Sequence, residues 1–154
     1  MPKLKRAELS LKSLLEQKLS FVQPLLDQKH VELRKNLNPE LPAVQGDPDQ
    51  IWEVVLNLIH NAVDAMPGGG NLTVSTQADD AKALLSISDS GRGMTEEEAR
   101  NLFVPFFTTK SDGTGLGLAY AQQVISEHGG RIDCATVRGK GSTFSIQLPL
   151  AVAA

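Results

Sequence analysis

The chain has 154 residues, which suits one domain with a sizeable core and leaves too little for two. Its 15 basic and 18 acidic residues are interspersed and give a net charge of −3; with no long lysine or arginine stripe, this argues against nucleic acid or anionic membrane as the main partner. The lone Cys134 cannot make an internal disulfide, and the absence of a signal peptide or of an apolar run of about 18 residues points to the cytosol for this piece of chain, with a membrane anchor elsewhere left open.

From Ser10 to about Lys29, Leu11, Leu14, Leu15, Val22, Leu25 and Leu26 recur at helical spacing and predict a helix facing a core, bent or split at Pro24. VELRKNLN at 31–38 alternates as a strand, and the loop punctuation from Pro39 to Pro48 ends in Asp47, a suitable N-cap ahead of Pro48. A second helix is expected to about Met66, where Pro67 and Gly68 to Gly70 stop it. LTVSTQA at 72–78 and ALLSISDS at 83–90 read as strands joined by a short polar turn.

From Gly91 to Gly117 there is little periodicity beyond a turn or two of helix around Glu96 to Leu102, and loops of that length in compact domains are usually functional. Leu118, Ala121, Val124, Ile125 and His128 mark a third helix closed by Gly129 and Gly130; RIDCATV at 131–137 and TFSIQLP at 143–149 then pair as a hairpin. The expected fold is a two-layer α/β sandwich, with a mixed, mostly antiparallel sheet of about five strands and three main helices on one face. Cys134 is expected as a small core residue, and His30 and His128 as element-end histidines without metal-ligand spacing.

Four polar or glycine-rich signatures follow one another: NLIHNAVDA at 57–65, DSGRGM at 89–94, FVPFFTTK at 103–110 and GTGLGL at 113–118. In the second helix, Asn57, Asn61 and Asp64 share one polar arc with Glu53 and His60 beside them, opposite Ile51, Val55, Leu58, Ile59 and Ala62. A solvated face explains that split as well as a site does. Two asparagines one turn apart, however, are poor helix formers and good neutral oxygen donors for a hydrated magnesium whose remaining charge is met by phosphates.

Asp89 ends a strand and is followed by Ser90, Gly91, Arg92 and Gly93. A strand-to-loop turn capped by the carboxylate is one reading. The other has Asp89 accepting the exocyclic amino group of adenine while Gly91 and Gly93 let the base lie against main chain, which would favour ATP over GTP. Gly113, Gly115 and Gly117 precede a helix, so amide donors and the helix dipole can converge on an anion. A dinucleotide fold does not explain them, because no βαβ unit surrounds them, and no Walker A pattern occurs. Phe103, Phe106 and Phe107 plug a loop to the body, with Lys110 as a charge able to reach a terminal phosphate.

On these four segments the chain resembles the catalytic and ATP-binding domain of bacterial sensor histidine kinases, within the Bergerat-fold ATPase superfamily, over residues 10 to 150; the FVPFFTTK and NAVDAMP forms are similar to nitrogen-regulation and dicarboxylate sensors. The resemblance implies ATP and Mg2+ as cofactors, with Asn61 on the metal, Asn57 beside the phosphates, Asp89 on adenine with Gly91, Gly93 and Met94, and Thr143 near adenine through water. It implies that Thr109, Lys110, Gly113, Thr114, Gly115, Leu116, Gly117 and Leu118 form a mobile lid and phosphate cover, with Asn57, Asn61 and Lys110 serving catalysis.

The implied partners are a phosphoacceptor helical hairpin, in the same or another chain, and a response regulator downstream. None of His30, His60 and His128 stands in the acceptor context H-E-x-x-x-P, so this chain is expected to donate phosphoryl, with residues 1–9 a linker remnant and 151–154 a tail. The alternatives are a serine kinase of the anti-sigma-factor type, a superfamily hydrolase and a non-catalytic nucleotide sensor. Asn57 stands where the hydrolases place a glutamate that activates water, and an amide cannot act as that base.

Overall fold

The computed structural model describes residues 7–104 and 117–151. Among these residues seven strands and four helices follow in chain order: β1 (Ala7–Leu9), α1 (Leu11–Gln28), β2 (Val31–Asn36), β3 (Val44–Gly46), α2 (Pro48–Asp64), β4 (Gly70–Ala78), β5 (Lys82–Asp89), α3 (Glu96–Arg100), α4 (Gly117–Glu127), β6 (Arg131–Val137) and β7 (Gly141–Pro149). Five strands form one sheet in the order β2-β4-β5-β7-β6, antiparallel throughout except for the parallel β2–β4 pair; β1 and β3 form a separate two-stranded ribbon.

Period-two alternation decides which sheet face carries the core. Leu72 and Val74 of β4, Ala83, Leu85 and Ile87 of β5, and Phe144, Ile146 and Leu148 of β7 are buried against Leu15, Leu19 and Leu26 of α1, Val55, Leu58 and Ile59 of α2, and Val124 and Ile125 of α4. The opposite face carries short hydroxyls in register, with Thr73, Ser88 and Thr143 in one row and Ser75, Ser86 and Ser145 in the next. The expected sandwich, its five-stranded sheet and its three main helices are all present.

Helix starts are set by side-chain caps. Ser10 Oγ accepts from Ser13 N at 3.2 Å, Asp47 Oδ1 accepts from Asp49 N at 3.0 Å ahead of Pro48, and Thr95 and Glu98 form a reciprocal capping box on α3.

Three local expectations need correction. Helix α1 runs unsplit through Pro24, and both Pro24 and Ser20, one turn before it, are exposed. Strands β4 and β7 begin two residues earlier than their apolar pattern suggests, at Gly70 and Gly141. The β1–β3 ribbon was not anticipated: three-residue strands are too short to show a period, and β1 lies in the segment read as linker. Val44 of β3 also bridges Leu150, and Ala151 N donates to Ala43 O at 2.8 Å.

Candidate functional site

Three cross-links fix how α4 lies on α2. Asp47 N–H donates to His128 Nε2 at 3.0 Å, the Tyr120 hydroxyl donates to Glu53 Oε2 at 3.0 Å, and a Cβ added to Gly117 would stand 3.8 Å from Asn57 Cγ and Oδ1. Positions 47, 53 and 57 thus meet 128, 120 and 117, so the helices are antiparallel and the first residue of α4 sits beside Asn57. That end of α4 carries the amides that have no partner within the helix and the positive end of its dipole. Asn57 and Asn61 are half-buried on the same side of α2, whereas Glu53, His60 and Asp64 are exposed.

At the other end of α2, Arg92 N donates to Ala65 O at 3.2 Å, and a Cβ at Gly91 would come within 2.5 Å of the same carbonyl oxygen. Glycine at 91 is therefore what lets the loop after β5 press onto the end of α2, one turn past Asn61. Gly93 has φ +66° and lies against the Val137 carbonyl, which ties the loop to the β6–β7 turn.

Asp89 closes β5 on the core face, 8% exposed, between Leu72 of β4 and Ser142 of β7. Its Oδ1 accepts from Gly91 N at 2.9 Å. Burial pushes the carboxyl above its ordinary value, against the opposing pull of the Gly91 and Ser142 amides. The result is a nearly enclosed acceptor beside a glycine loop, suited to a neutral donor such as an amino group.

Around Asp89 the structure gathers Gly91, Gly93 and Met94, but not Thr143. Thr143 pairs with Ser88 and its hydroxyl lies 2.8 Å from Ser88 Oγ, on the sheet face turned away from Asp89. Ser142, one residue earlier, is the hydroxyl that pairs with Asp89, and Thr136 stands next to it on β6 with its Oγ1 2.9 Å from Ser142 Oγ. The alternation of β7 held that signal: Phe144, Ile146 and Leu148 are apolar, so their face includes 142 and excludes 143.

Gly117 and Leu118 open α4, with Leu118 packed on the core. Thr109, Lys110, Gly113, Thr114, Gly115 and Leu116, and with them the lid expectation, lie outside the described residues. Cys134 packs against the core, and burial, aided by the nearby Asp89 charge, pushes its thiol up to about 12, which suits a core residue and no nucleophile. Among the described residues no group of three or more His, Cys, Asp or Glu side chains could hold a metal, and no helix is long and apolar enough to cross a membrane.

The family model of histidine kinase-, DNA gyrase B- and HSP90-like ATPases matches residues 46–152. Over 140 residues the chain is 39% identical to sensor histidine kinase ZraS of Escherichia coli K12, covering 91% of this chain and 30% of that protein. It is 40% identical over 122 residues to sporulation kinase E of Bacillus subtilis strain 168, covering 79% of this chain and 16% of that protein. This chain therefore spans less than a third of either relative.

Among solved structures, the nucleotide-free catalytic domain of histidine kinase ThkA superposes with a TM-score of 0.86 at 28% identity, covering 96% of this chain and 99% of that one. Full-length ShkA in complex with AMPPNP gives a TM-score of 0.86 at 25% identity, covering 99% of this chain and 33% of that one. Matched by the family model from residue 46 onward and by histidine kinase catalytic domains over nearly its whole length, the chain belongs to the histidine kinase-, DNA gyrase B- and HSP90-like ATPase family, as an ATP-binding catalytic domain of the sensor histidine kinase type.

Proposed function

We propose that this domain binds Mg-ATP and donates the γ-phosphoryl group to an imidazole nitrogen of a helical phosphoacceptor domain, in the same or a partner chain, which passes it to an aspartate of a response regulator. The observation that carries the reading is the alignment of the start of α4 with Asn57, on a line that ends at the buried Asp89 and its glycine loop. An anion at the helix end and a nucleobase at Asp89 are the two halves of one elongated ligand.

In this reading Asp89 accepts the adenine amino group, Gly91 and Gly93 admit the base, and Ser142 takes the place that the sequence reading gave to Thr143. Asn57 and the first amides of α4, from Gly117 and Leu118, face the phosphates, and Lys110 with the segment 109–116 completes their cover. Asn61 is the metal ligand; its neutral amide fits magnesium, which keeps several waters and takes phosphate oxygens, so a carboxylate cage is not required. Bound there, the metal would neutralise charge on the phosphates. The protein's own contribution is positioning and amide donors, with nucleophile and proton acceptor supplied by the acceptor domain.

The test is calorimetric titration with a non-hydrolysable ATP analogue, with and without magnesium, followed by phosphate release from ATP. Magnesium-dependent binding with negligible release supports a phosphodonor; rapid release moves the domain to the hydrolases, and no binding refutes the reading.

A further inference from the structure

Tyr120 and Glu53 belong to none of the four sequence signatures, yet both flank the phosphate end of the site. Tyr120 lies in the first turn of α4, three residues after Gly117, and Glu53 lies one turn before Asn57 on α2. The 3.0 Å bond from the Tyr120 hydroxyl to Glu53 Oε2 therefore sits one turn from the Gly117–Asn57 approach on both helices. The rest of that turn holds weakly: Gly117 is exposed and a poor helix former, Ala119 offers a methyl group, and Leu118 is only partly buried on the core. No acidic side chain in the turn complements the helix dipole. Burial, and after it the Glu53 carboxylate, raise the Tyr120 phenol above its ordinary value, which keeps the hydroxyl protonated as a donor. A partly exposed hydrogen bond is worth little against the stability of a whole domain and much against the fraying of one helical turn.

We infer that Tyr120 and Glu53 are positioning residues for the phosphate end of the nucleotide: their hydrogen bond holds the first turn of α4 against α2, so that the amides of Gly117 and Leu118 stand beside Asn57 before the ligand arrives. This rests on the ATP reading above and adds to it a pre-organising contact that the ligand itself does not touch. With the tie broken, binding must first order the turn, and the apparent affinity falls in proportion to the fraction of molecules in which the turn is already in place. The loss falls on the phosphates alone. Asp89 and its glycine loop are held by β7, the β6–β7 turn and the far end of α2, none of which depends on the start of α4.

The test compares a non-hydrolysable ATP analogue with magnesium, titrated by calorimetry, with adenosine, which lacks the phosphates and is titrated by NMR. Tyr120→Phe, which removes only the hydroxyl, should weaken the analogue about fivefold and leave adenosine unchanged. Glu53→Gln and Glu53→Ala both remove the charge, and only glutamine keeps an oxygen that accepts from Tyr120. Glu53→Gln should therefore bind the analogue about fivefold more tightly than Glu53→Ala, with adenosine bound alike, and Tyr120→Phe should add nothing in the Glu53→Ala background. Equal weakening of analogue and adenosine in Tyr120→Phe would mean a role confined to bracing the fold, and weakening of neither would mean an idle surface contact; each result overturns the inference. Should Tyr120→Phe fail to fold, equal analogue affinities in Glu53→Gln and Glu53→Ala overturn it. A wild type that binds no analogue refutes the ATP reading and this inference with it, whereas wild-type binding that the variants leave unmoved refutes the inference alone.

Discussion

His128, at the end of α4, accepts the backbone N–H of Asp47 through Nε2 while its Nδ1–H donates to Val124 O at 2.8 Å. Asp47 is the N-cap of α2, so one buried imidazole joins the foot of one site helix to the cap of the other. It also explains Gly46, where a Cβ would come 2.5 Å from Ile51 Cδ1 and 3.0 Å from the imidazole Cδ2. Replacing His128 by phenylalanine keeps the bulk but strands the Asp47 amide, and should cost about 1–3 kcal/mol. Urea denaturation checks this: a lower midpoint at unchanged slope is expected, and an unchanged midpoint would remove His128 from the structural framework.

Asn61 and Asn57 separate by experiment. Asn61→Ala should abolish the magnesium dependence of nucleotide binding, while Asn57→Ala, beside the start of α4, should weaken binding with and without the metal by about tenfold, the value of one charge-assisted contact. Titration in magnesium and in chelator checks both, and retained magnesium dependence in Asn61→Ala would reassign the ligand.

Asp89 sets affinity against stability. Burial holds its carboxyl above the ordinary value, so the folded chain binds this proton more tightly than the unfolded one. Its contribution to stability is therefore fullest at acid pH and is lost as pH rises through the raised value. Asp89→Asn keeps an acceptor for Gly91 N and sheds the buried charge, so at neutral pH the variant should melt no lower than the wild type, with the gap closing on acidification. The same variant should lose preference for ATP over GTP; a neutral-pH melting temperature clearly below wild type would contradict the burial argument.

Cys134 offers a chemical check on the packing of β6. With its thiol pushed up to about 12, almost no thiolate exists at pH 8, and alkylation in native buffer should be slower than that of a free thiol by about a hundredfold or more. Mass spectrometry after iodoacetamide treatment should show modification only when denaturant is added. Rapid native labelling would mean that β6 leaves the sheet readily.

Much of this was legible because long periodic segments write themselves into sequence. Helix α1, with Leu11, Leu14 and Leu15 on one stripe, and strand β6, with its bounds at Arg131 and Val137, follow from pattern alone. The line of Asn57 and Asn61 was equally visible, since helical spacing fixes which side chains share a face. What stayed hidden depends on partners far away in sequence. The 2.9 Å contact of Thr136 with Met94 N joins positions 42 residues apart. Likewise Val44 gains a strand conformation only because Leu9 and Leu150 come to it.

That meeting at β3 also determines how the domain can be handled mechanically. Leu9 pairs with Val44 on one side and Leu150 bridges it on the other, so whatever is fused before Ala7 and whatever is fused after Ala151 attach at a single corner. A load applied between the two attachments would strain this corner first, at the β1–β3 pairing and the Val44–Leu150 bridge. A load on the leading segment alone would pull on β3, whose last residue adjoins the cap of α2, and so would reach the helix of Asn57 and Asn61 through one peptide unit.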